Sequence, residues 1–460
     1  MALPTLVSSL RSDLTPQTEI LTNPEDPDFK SSIERWSNEE IQTPGAIYRP
    51  ATQDDVAKIV QFAYANSIPF VLASGGHSPW STIGNSGFII DLSLLNSISI
   101  DADAESVTIS GAILIHELAS ALELAGRCTT LGNGNTVGVI PYVLGGGTSI
   151  LTAVTGYACD QILAAKIMTA KGDIVDVSAN NEADLFWAIK GAGQFFGVVL
   201  DLTMRTFPFL ILGSEDGSHW TGVWIYPLKS AEEVCAVLEP IMRDKSHVTA
   251  GQIGVMAPPP AFQPVILVLI HFLGNQEDTP AVYQALNDLG PMMASASTLK
   301  FSEYRQAQDY ACVKGDLKSF SLVGVEEFKP KNFLKVVELF KELLDNCPEA
   351  GGSMYLFEWH TGTSKPVHED SAFSFQDVHM WMNTFSWYHQ PENRGTVIDF
   401  DLRALAAMRV GQKEADYIDY PNCNRTAPVA QRFRGTKRLA KLKMLKQKWD
   451  PRGVFTREFL

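Results

Sequence analysis

Cysteine is scarce in this sequence, and so are long runs of apolar residues. The 460 residues include six cysteines, none at the spacing of a CxxC metal or redox site, and the number is low for a disulfide scaffold. No apolar run approaches the roughly 18 residues that a membrane helix needs. The N-terminus lacks the basic and apolar regions of a signal peptide. We therefore expect a cytoplasmic protein with a hydrophobic core, no metal site and no membrane partner.

An excess of positive charge is also missing. Lysine and arginine number 37 against 52 aspartate and glutamate residues, which gives a formal net charge of −15. Such a chain repels the phosphate backbone of nucleic acids, so we expect no nucleic-acid partner. A neutral or cationic small molecule, or a substrate selected without regard to charge, fits this composition better.

The order of helical and strand-like segments predicts an α+β protein. Residues 1–45 are polar and predict an irregular lead-in with one short helix. Residues 46–210 alternate strand patterns with helical spacing. Residues 211–405 predict an antiparallel sheet backed by helices. Residues 406–460 end in a basic helix at 437–448, whose charges we assign to a solvated face.

A glycine-rich loop, Ser74-Gly75-Gly76-His77-Ser78, directly follows a predicted strand. Its glycines permit a tight turn that offers backbone N–H groups to a pyrophosphate. The loop has neither the GxGxxG spacing of a dinucleotide-binding turn nor the GK[ST] of a P-loop. His77 is unusual between a glycine and a serine. It has either a functional role or a hydrogen-bonding role within the loop.

A second glycine-rich tract runs from Leu131 to Ser149 and fits neither a helix nor a strand. A cofactor lying along its backbone would hold such a tract in place, and the alternative is an ordinary long turn. A third segment, residues 184–199, ends a predicted helix at Gly191 and enters a strand at Gly197.

The ordered set SGGHS, VGV…LGGGTS, ACDQIL…AKGDIV and ADLFWAIKGAG…FGVV resembles flavoproteins of the vanillyl-alcohol oxidase/PCMH type, in the berberine-bridge-enzyme-like branch. The likeness covers residues 45–208 and returns in YPN and KWDPRGVF near the C-terminus. It implies a PCMH-type FAD-binding domain of two α+β subdomains at 46–210 and a substrate-binding domain at 211–405. The last segment, 406–460, should return to the FAD-binding domain.

The resemblance also implies FAD as the cofactor. The matching positions are Ser74, Gly75, Gly76, His77, Ser78, Gly132, Asn135, Thr136, Val137, Gly138, Gly146, Gly147, Thr148, Gly197, Val198, Val199 and Asn422. His77 matches the residue that bonds covalently to the flavin 8α-methyl group. Gly134 stands where many relatives carry a second flavin-linked cysteine, so we expect attachment through His77 alone.

Three side chains are candidates for catalysis. Tyr420 matches a tyrosine that lies near the flavin ring in relatives, although it could instead be a packed aromatic residue. Glu358 and His360 share one strand face as residues i and i+2 and form a rival acid–base pair. The alternative is that both are surface or structural residues.

Two further features of residues 211–405 bear on the pocket. The family often places a carboxylate at a position that aligns with Met380. Four tryptophans could line an aromatic pocket or belong to the core: Trp224, Trp359, Trp381 and Trp387.

By resemblance, we expect hydride transfer from a small organic substrate to flavin N5, followed by reoxidation by dioxygen. The expected substrate is an aromatic or polycyclic molecule of specialised metabolism. Alternatives are a carbohydrate or simple-alcohol oxidase with the same fold, and an FAD-dependent cyclase whose net chemistry is redox-neutral. A protein that only stores or carries flavin is the remaining possibility.

Overall fold

The computed structural model describes residue 7 and residues 9–274, 279, 283–362, 370–423 and 427–455. Residues 1–6, which belong to the predicted lead-in, lie outside the described residues. None of the helices within the described ranges is long and apolar enough to cross a membrane.

The first part of the chain forms two sheets and a short two-stranded pair. Its strands are β1 (Glu19–Leu21), β2 (Ala46–Arg49), β3 (Phe70–Ala73), β4 (Phe88–Asp91), β5 (Ile98–Ile100), β6 (Ser106–Ser110), β7 (Arg127–Cys128), β8 (Ile162–Met168), β9 (Ile174–Ser178), β10 (Val198–Arg205) and β11 (Phe207–Pro208). The sheet orders are β1-β2-β4-β3 and β5-β6-β10-β8-β9, and β7 pairs with β11. Strands β2, β4 and β3 are parallel, whereas the second sheet is antiparallel.

Helices cover these sheets. They are α1 (Pro27–Ile33), α2 (Gln53–Asn66), α3 (Ile115–Leu124), α4 (Val139–Leu144), α5 (Thr152–Thr155) and α6 (Ala183–Ala192). Helix α2 shows how the sequence sets such an element. Thr52 caps its first turn by accepting a hydrogen bond from the Asp55 N–H, and its buried stripe is Val56, Ile59 and Val60.

The lead-in is more ordered than the sequence predicted. Strand β1 pairs with β2, so residues 1–45 contribute an edge strand to the first sheet. The buried Asp55 carboxylate accepts hydrogen bonds from the Thr15 hydroxyl (2.8 Å) and the Thr18 hydroxyl (2.9 Å). A polar segment can be fixed in this way because its hydroxyls satisfy a buried charge, a pairing that no local pattern shows.

The second part is built on one antiparallel sheet of eight strands. These are β12 (Ser218–Pro227), β13 (Thr249–Met256), β14 (Val265–Phe272), β15 (Met293–Lys300), β16 (Leu317–Gly324), β17 (Met354–Thr361), β18 (Met380–Tyr388) and β19 (Ile418–Asp419). Their order is β15-β12-β14-β13-β17-β18-β16-β19. The remaining helices are α7 (Ala231–Arg243), α8 (Tyr283–Asp288), α9 (Pro330–Asn346), α10 (Arg394–Met408), α11 (Val429–Arg432) and α12 (Thr436–Trp449).

The two faces of this sheet have different partners. One face, with Trp224, Tyr355 and Phe357, packs against helices α7, α9 and α10 in a separate core. The opposite face, with Ala250 and Trp381, joins the core of the first part of the chain. We call this second face the inner face.

The tryptophans and Met380 divide between these surroundings. Trp224 and Trp359 lie in the helix-backed core, Trp381 lies in the shared core, and Trp387 packs on a third cluster. The four tryptophans therefore do not line one pocket. Met380, which aligns with the position of the family carboxylate, packs against the helix-backed core.

Candidate active site

The first two glycine-rich stretches lie against each other. A Cβ atom on Gly75 would stand 2.7 Å from the backbone nitrogen of Gly138, so this contact requires a residue without a side chain. The His77 Nε2 atom lies 2.7 Å from the Thr136 hydroxyl oxygen and joins the two loops. Residues 74–78 and 132–138 thus form one backbone surface.

A third stretch, residues 145–147, extends this surface. Gly146 and Gly147 have φ values of +121° and +80°, which disfavour other residues. A Cβ atom on Gly147 would stand 2.6 Å from the Tyr142 ring, and one on Gly132 would stand 2.7 Å from it. Tyr142 therefore connects the second and third stretches. We call the three stretches together the cofactor cradle.

Part of the second tract is helical, which the sequence did not predict. Residues Val139–Leu144 form α4, whose N-cap is Gly138. The tract is glycine-rich only on either side of this helix, and the central apolar residues Val139, Ile140 and Val143 are buried in the shared core. Burial stabilises a helix too short to form alone.

The C-terminal part of the chain reaches the cradle. Tyr420 accepts a hydrogen bond from the backbone N–H of Gly147. The Asn422 carboxamide accepts a hydrogen bond of 2.6 Å from the Gln194 side chain and donates one of 3.4 Å to the Pro141 carbonyl. Residues far apart in the sequence are thereby fixed at one site.

His77 is half-buried between an aromatic ring and the Thr136 hydroxyl. The Trp36 ring stacks on it, with 6.1 Å between ring centroids and 20° between planes. Burial, together with the charges of Lys314 and Lys318, lowers the pKa of His77 to about 4. The imidazole is therefore neutral at neutral pH and retains a nucleophilic ring nitrogen.

Polar atoms without partners lie along the cradle. The Ser74 hydroxyl and the side-chain oxygens of Asn133 and Asn135 are buried and have no hydrogen-bond partner within the described structure. Such atoms are rare in folded proteins unless a ligand satisfies them. Open glycine backbone and orphaned polar atoms together fit an elongated polar cofactor such as FAD.

The remaining predicted cofactor residues lie in two places. Thr148 is adjacent to the third stretch, and its carbonyl accepts a hydrogen bond from the Tyr142 hydroxyl. Gly197, Val198 and Val199 form the entry to β10, where both valines are buried and pair with β8. Their side chains pack in the cores rather than against the cradle.

Glu358 and His360 form a close pair on the inner face. The His360 Nε2 atom lies 2.7 Å from a Glu358 carboxylate oxygen, and the Gln252 amide donates to the other oxygen at 3.2 Å. Burial raises the pKa of Glu358, but the His360 contact, the Gln252 hydrogen bond and the nearby His271 together outweigh burial, and the pKa lies below its ordinary value. The other His360 ring nitrogen, Nδ1, is buried without a partner in the described structure.

Tyr420 lies close to this pair through Trp381. Trp381 is the cross-strand partner of Glu358, and its ring packs edge-on against the Tyr420 ring at 5.3 Å. Burial raises the pKa of Tyr420 well above 10. The phenol is therefore protonated at neutral pH and can donate a hydrogen bond.

Three residues at the site were missed from the sequence. Tyr142 connects two stretches of the cradle, Trp36 stacks on His77, and Arg305 donates a hydrogen bond of 2.8 Å to the Gly132 carbonyl. Tyr142 had a signal, because it lies within the second glycine-rich tract. Trp36 and Arg305 had none, since each is brought in from a distant segment.

Comparison with known sequences agrees with this geometry. Residues 44–178 match the family described as an FAD binding domain. The chain is 25% identical to the FAD-linked oxidoreductase hasG of Aspergillus fumigatus over 93% of each protein. It is 27% identical to the FAD-linked oxidoreductase tazG of Aspergillus terreus over 96% of this chain and 92% of that protein.

Solved structures show the same fold at lower identity. BBE-like 1 of Physcomitrella patens matches with a TM-score of 0.83 at 17% identity, over 98% of both chains. The glucooligosaccharide oxidase of Acremonium strictum, which carries a 6-S-cysteinyl, 8α-N1-histidyl FAD, matches with a TM-score of 0.78 at 19% identity, over 98% of this chain and 97% of that one. The predicted α+β fold class and FAD cofactor are confirmed. Residues 44–178 thus form an FAD-binding domain, the curated relatives of similar length are FAD-linked oxidoreductases, and the whole chain shares the fold of the berberine-bridge-enzyme-like flavoproteins.

Proposed function

We propose that this protein oxidises a small organic molecule by hydride transfer to N5 of FAD, with dioxygen as the final electron acceptor. The buried Glu358–His360 pair carries this proposal, because it places an unpartnered imidazole nitrogen on the sheet face that meets the FAD-binding part. A hydride donor loses a proton from O–H or N–H as it is oxidised, and such a nitrogen can accept it.

Each residue of the site has a separate task in this scheme. The flavin, when bound, supplies the hydride acceptor. The Glu358 carboxylate accepts a hydrogen bond from the Nε2–H of His360, which leaves Nδ1 as the base. Tyr420, protonated and fixed by the Gly147 N–H, donates a hydrogen bond that orients the substrate. The surrounding apolar core excludes bulk water from the pair.

We further propose that FAD is bonded to the chain once, through His77. The neutral imidazole lies at the junction of two cradle loops, and Gly134 offers no side chain for a second bond. The histidyl linkage in the Acremonium strictum oxidase supports this assignment.

The surroundings of His77 favour an aromatic substrate of specialised metabolism. Trp36 packs there with Met354 and Phe385, and Trp387 lies against the same cluster. Such rings offer flat apolar contacts to a ring system. The relatives from Aspergillus are consistent with this setting.

A carbohydrate or alcohol oxidase is the second candidate. Gln252 and Asn383 both lie on the inner face, and the Asn383 side-chain oxygen is buried without a partner in the described residues. Amide groups of this kind bind sugar hydroxyls. Structures of a chitooligosaccharide oxidase and of the carbohydrate oxidase of Microdochium nivale share the fold.

A substrate panel tests the function. The flavin-loaded protein is mixed without oxygen with aromatic alcohols, polycyclic phenols and oligosaccharides, and bleaching of the flavin absorption is followed. We expect reduction by an aromatic compound and, in air, one peroxide per substrate oxidised. Product without net peroxide would identify a cyclase, and sugar-selective reduction would identify the second candidate. A flavin that no compound reduces would contradict an enzymatic role.

A further inference from the structure

Arg305 is a fully buried cation, and one of its hydrogen-bond donors has no partner in the described structure. Its side chain is 0% exposed and lies over the rings of Phe301 and Tyr304, at 4.6 and 4.3 Å from their centroids. Nε donates to the Gly132 carbonyl at 2.8 Å and Nη1 donates to the Phe301 carbonyl at 2.5 Å. Nη2 is buried and has no partner within the described structure.

No carboxylate of the described residues forms an ion pair with this guanidinium. The Glu123 carboxylate, whose charge acts on Arg305, is already bound to the Ser302 N–H at 2.8 Å. Burial lowers the pKa of Arg305, yet a guanidinium remains charged at any physiological pH. A buried charge without a counterion is unfavourable, and a bound anion would remove that penalty.

The neighbouring histidines do not supply a counterion. His219 and His271 contact each other at 3.2 Å, and both rings pack against Tyr304, at 5.4 and 5.3 Å between centroids. Burial and the Arg305 charge lower the pKa of His271 to about 4, and the pKa of His219 also lies well below its ordinary value. Both rings are therefore neutral and can only share hydrogen bonds with a ligand.

The sheet register places His219 and His271 on the same face of the sheet as the Glu358–His360 pair. His271 is the cross-strand partner of Ala250, and Ala250 is the partner of His360. His271 and His360 are therefore two strand spacings apart, about 10 Å, on the same face. Arg305 reaches this face through Tyr304, whose ring packs against both histidines and against the guanidinium.

We propose that Arg305 binds a carboxylate of the substrate, which makes small organic acids the substrate class of this enzyme. The carboxylate accepts a hydrogen bond from the unpartnered Nη2, and the rest of the substrate extends along the inner face towards His360. This proposal rests on the proposed function, and it reverses the expectation drawn from the acidic composition, since the local charge at Arg305 is positive.

Two pairs of probes test the proposal by calorimetry on the flavin-loaded protein: benzoate with benzamide, and acetate with acetamide. Each pair differs in charge but hardly in shape. We expect benzoate to bind at least about 10-fold more tightly than benzamide, because a charged hydrogen bond to a guanidinium contributes that much. Equal binding of the two, or no binding of benzoate, would overturn the proposal.

Variants locate the binding. Arg305→Met should abolish the preference for benzoate, and Arg305→Lys should keep part of it, because lysine retains the charge without the planar fork. Arg403→Met is the matched control, since Arg403 is exposed and pairs with Asp399 and Glu342. Benzoate selectivity that persists in a folded Arg305→Met protein contradicts the proposal. If Arg305→Met fails to fold, the other two variants decide. The proposal is contradicted if Arg305→Lys keeps the full preference for benzoate while Arg403→Met loses it.

The outcome is separate from that of the substrate panel. A protein that oxidises neutral compounds and ignores benzoate would keep the proposed function and lose this substrate class. A protein that binds benzoate through Arg305, but whose flavin no compound reduces, would keep the carboxylate site and contradict the proposed function.

Discussion

The Glu358 carboxylate decides which nitrogen of His360 carries its proton. An ionised carboxylate can only accept a hydrogen bond, so Nε2 of His360 must be the donor. Nδ1 is the ring nitrogen left without a partner in the described structure. In the proposed mechanism this nitrogen is the base.

Replacing His360 with asparagine should slow anaerobic flavin reduction by at least about 10²-fold, because the base is lost. Glu358→Gln should also slow it, since the amide no longer fixes the tautomer. Stopped-flow absorbance of the flavin measures both rates. His379→Asn is the control, because His379 is exposed just before β18. Equal rates in His360→Asn and the control would remove His360 from the mechanism.

Tyr420→Phe should retain FAD and yet slow flavin reduction by about 10²-fold, the lower end for a lost proton-handling group. The phenol is held by the Gly147 N–H, so its loss removes a positioned hydrogen bond without opening the core. Flavin content measured beside the reduction rate separates the two effects. Unchanged kinetics at full flavin content would leave Tyr420 as a packed aromatic residue.

The sequence predicted the residue types of the site better than their contacts. Glu358 and His360 were paired correctly, because strand periodicity puts residues i and i+2 on one face. Met380 packs on the helix-backed face, whereas Trp381, one residue further along, lies on the inner face, because successive strand side chains alternate. Arg305 was missed altogether, because its contact with Gly132 spans 173 residues.

The buried histidines His219 and His271, on β12 and β14, should make the folded state less stable in acid. The pKa of His271 is about 4 in the folded state, below its ordinary value of 6.5. As the pH falls from 6.5 towards 4, the unfolded chain binds a proton that the folded chain rejects. The free energy of unfolding should therefore fall over this window, by up to ~3 kcal/mol for His271.

Urea unfolding at pH 7 and at pH 5 checks this expectation. His271→Gln should reduce the loss of stability between the two values, whereas His389→Gln, at an exposed site, should leave it unchanged. A wild-type protein equally stable at both values would contradict the buried, neutral state of His271.

Helix α12 is held to the first part of the chain by a buried lysine. Lys446 Nζ donates to the Phe195 carbonyl at 2.6 Å, to the Asp450 carboxylate at 2.7 Å and to the Phe455 carbonyl at 2.7 Å. Lys446→Met should lower the free energy of unfolding by about 3 kcal/mol, because the Asp450 charge stays buried without its cation.

Lys443→Met, on the exposed side of the same helix, is the matched control and should be nearly neutral. Denaturant midpoints of the two variants give the comparison. Equal midpoints would show that Lys446 is not needed to dock α12.

Elements with a strong periodic pattern were predicted well from the sequence, and weakly patterned elements were predicted poorly. The apolar run at 265–270 is part of β14, and the amphipathic run at 231–242 is α7. Strand β1 and helix α4 were missed, because both are short and are stabilised by partners elsewhere in the chain. Local propensity says little about such elements.

The site is assembled from segments that are spread along the whole chain. The cofactor cradle comes from residues 74–147, the acid–base pair from β17, and Tyr420 from a segment that follows all but the last helices. The inner face of the large sheet and the first part of the chain share one core, so these pieces meet where that core reaches the cradle. A truncated FAD-binding part would lack the Glu358–His360 pair and Tyr420.

The mass of the protein chain after acid denaturation tests most directly whether FAD is bonded to His77. Wild type should gain the mass of one FAD, and the yellow colour should stay with the precipitate. His77→Ala should fold, bind FAD and release all of it in acid, because the cradle contacts of the backbone remain. Flavin retained by His77→Ala would point to Cys312, whose sulfur lies 3.6 Å from the Cβ position of Gly134, and His77→Ala with Cys312→Ser would decide it. A wild-type chain that releases all its flavin in acid would contradict attachment at His77.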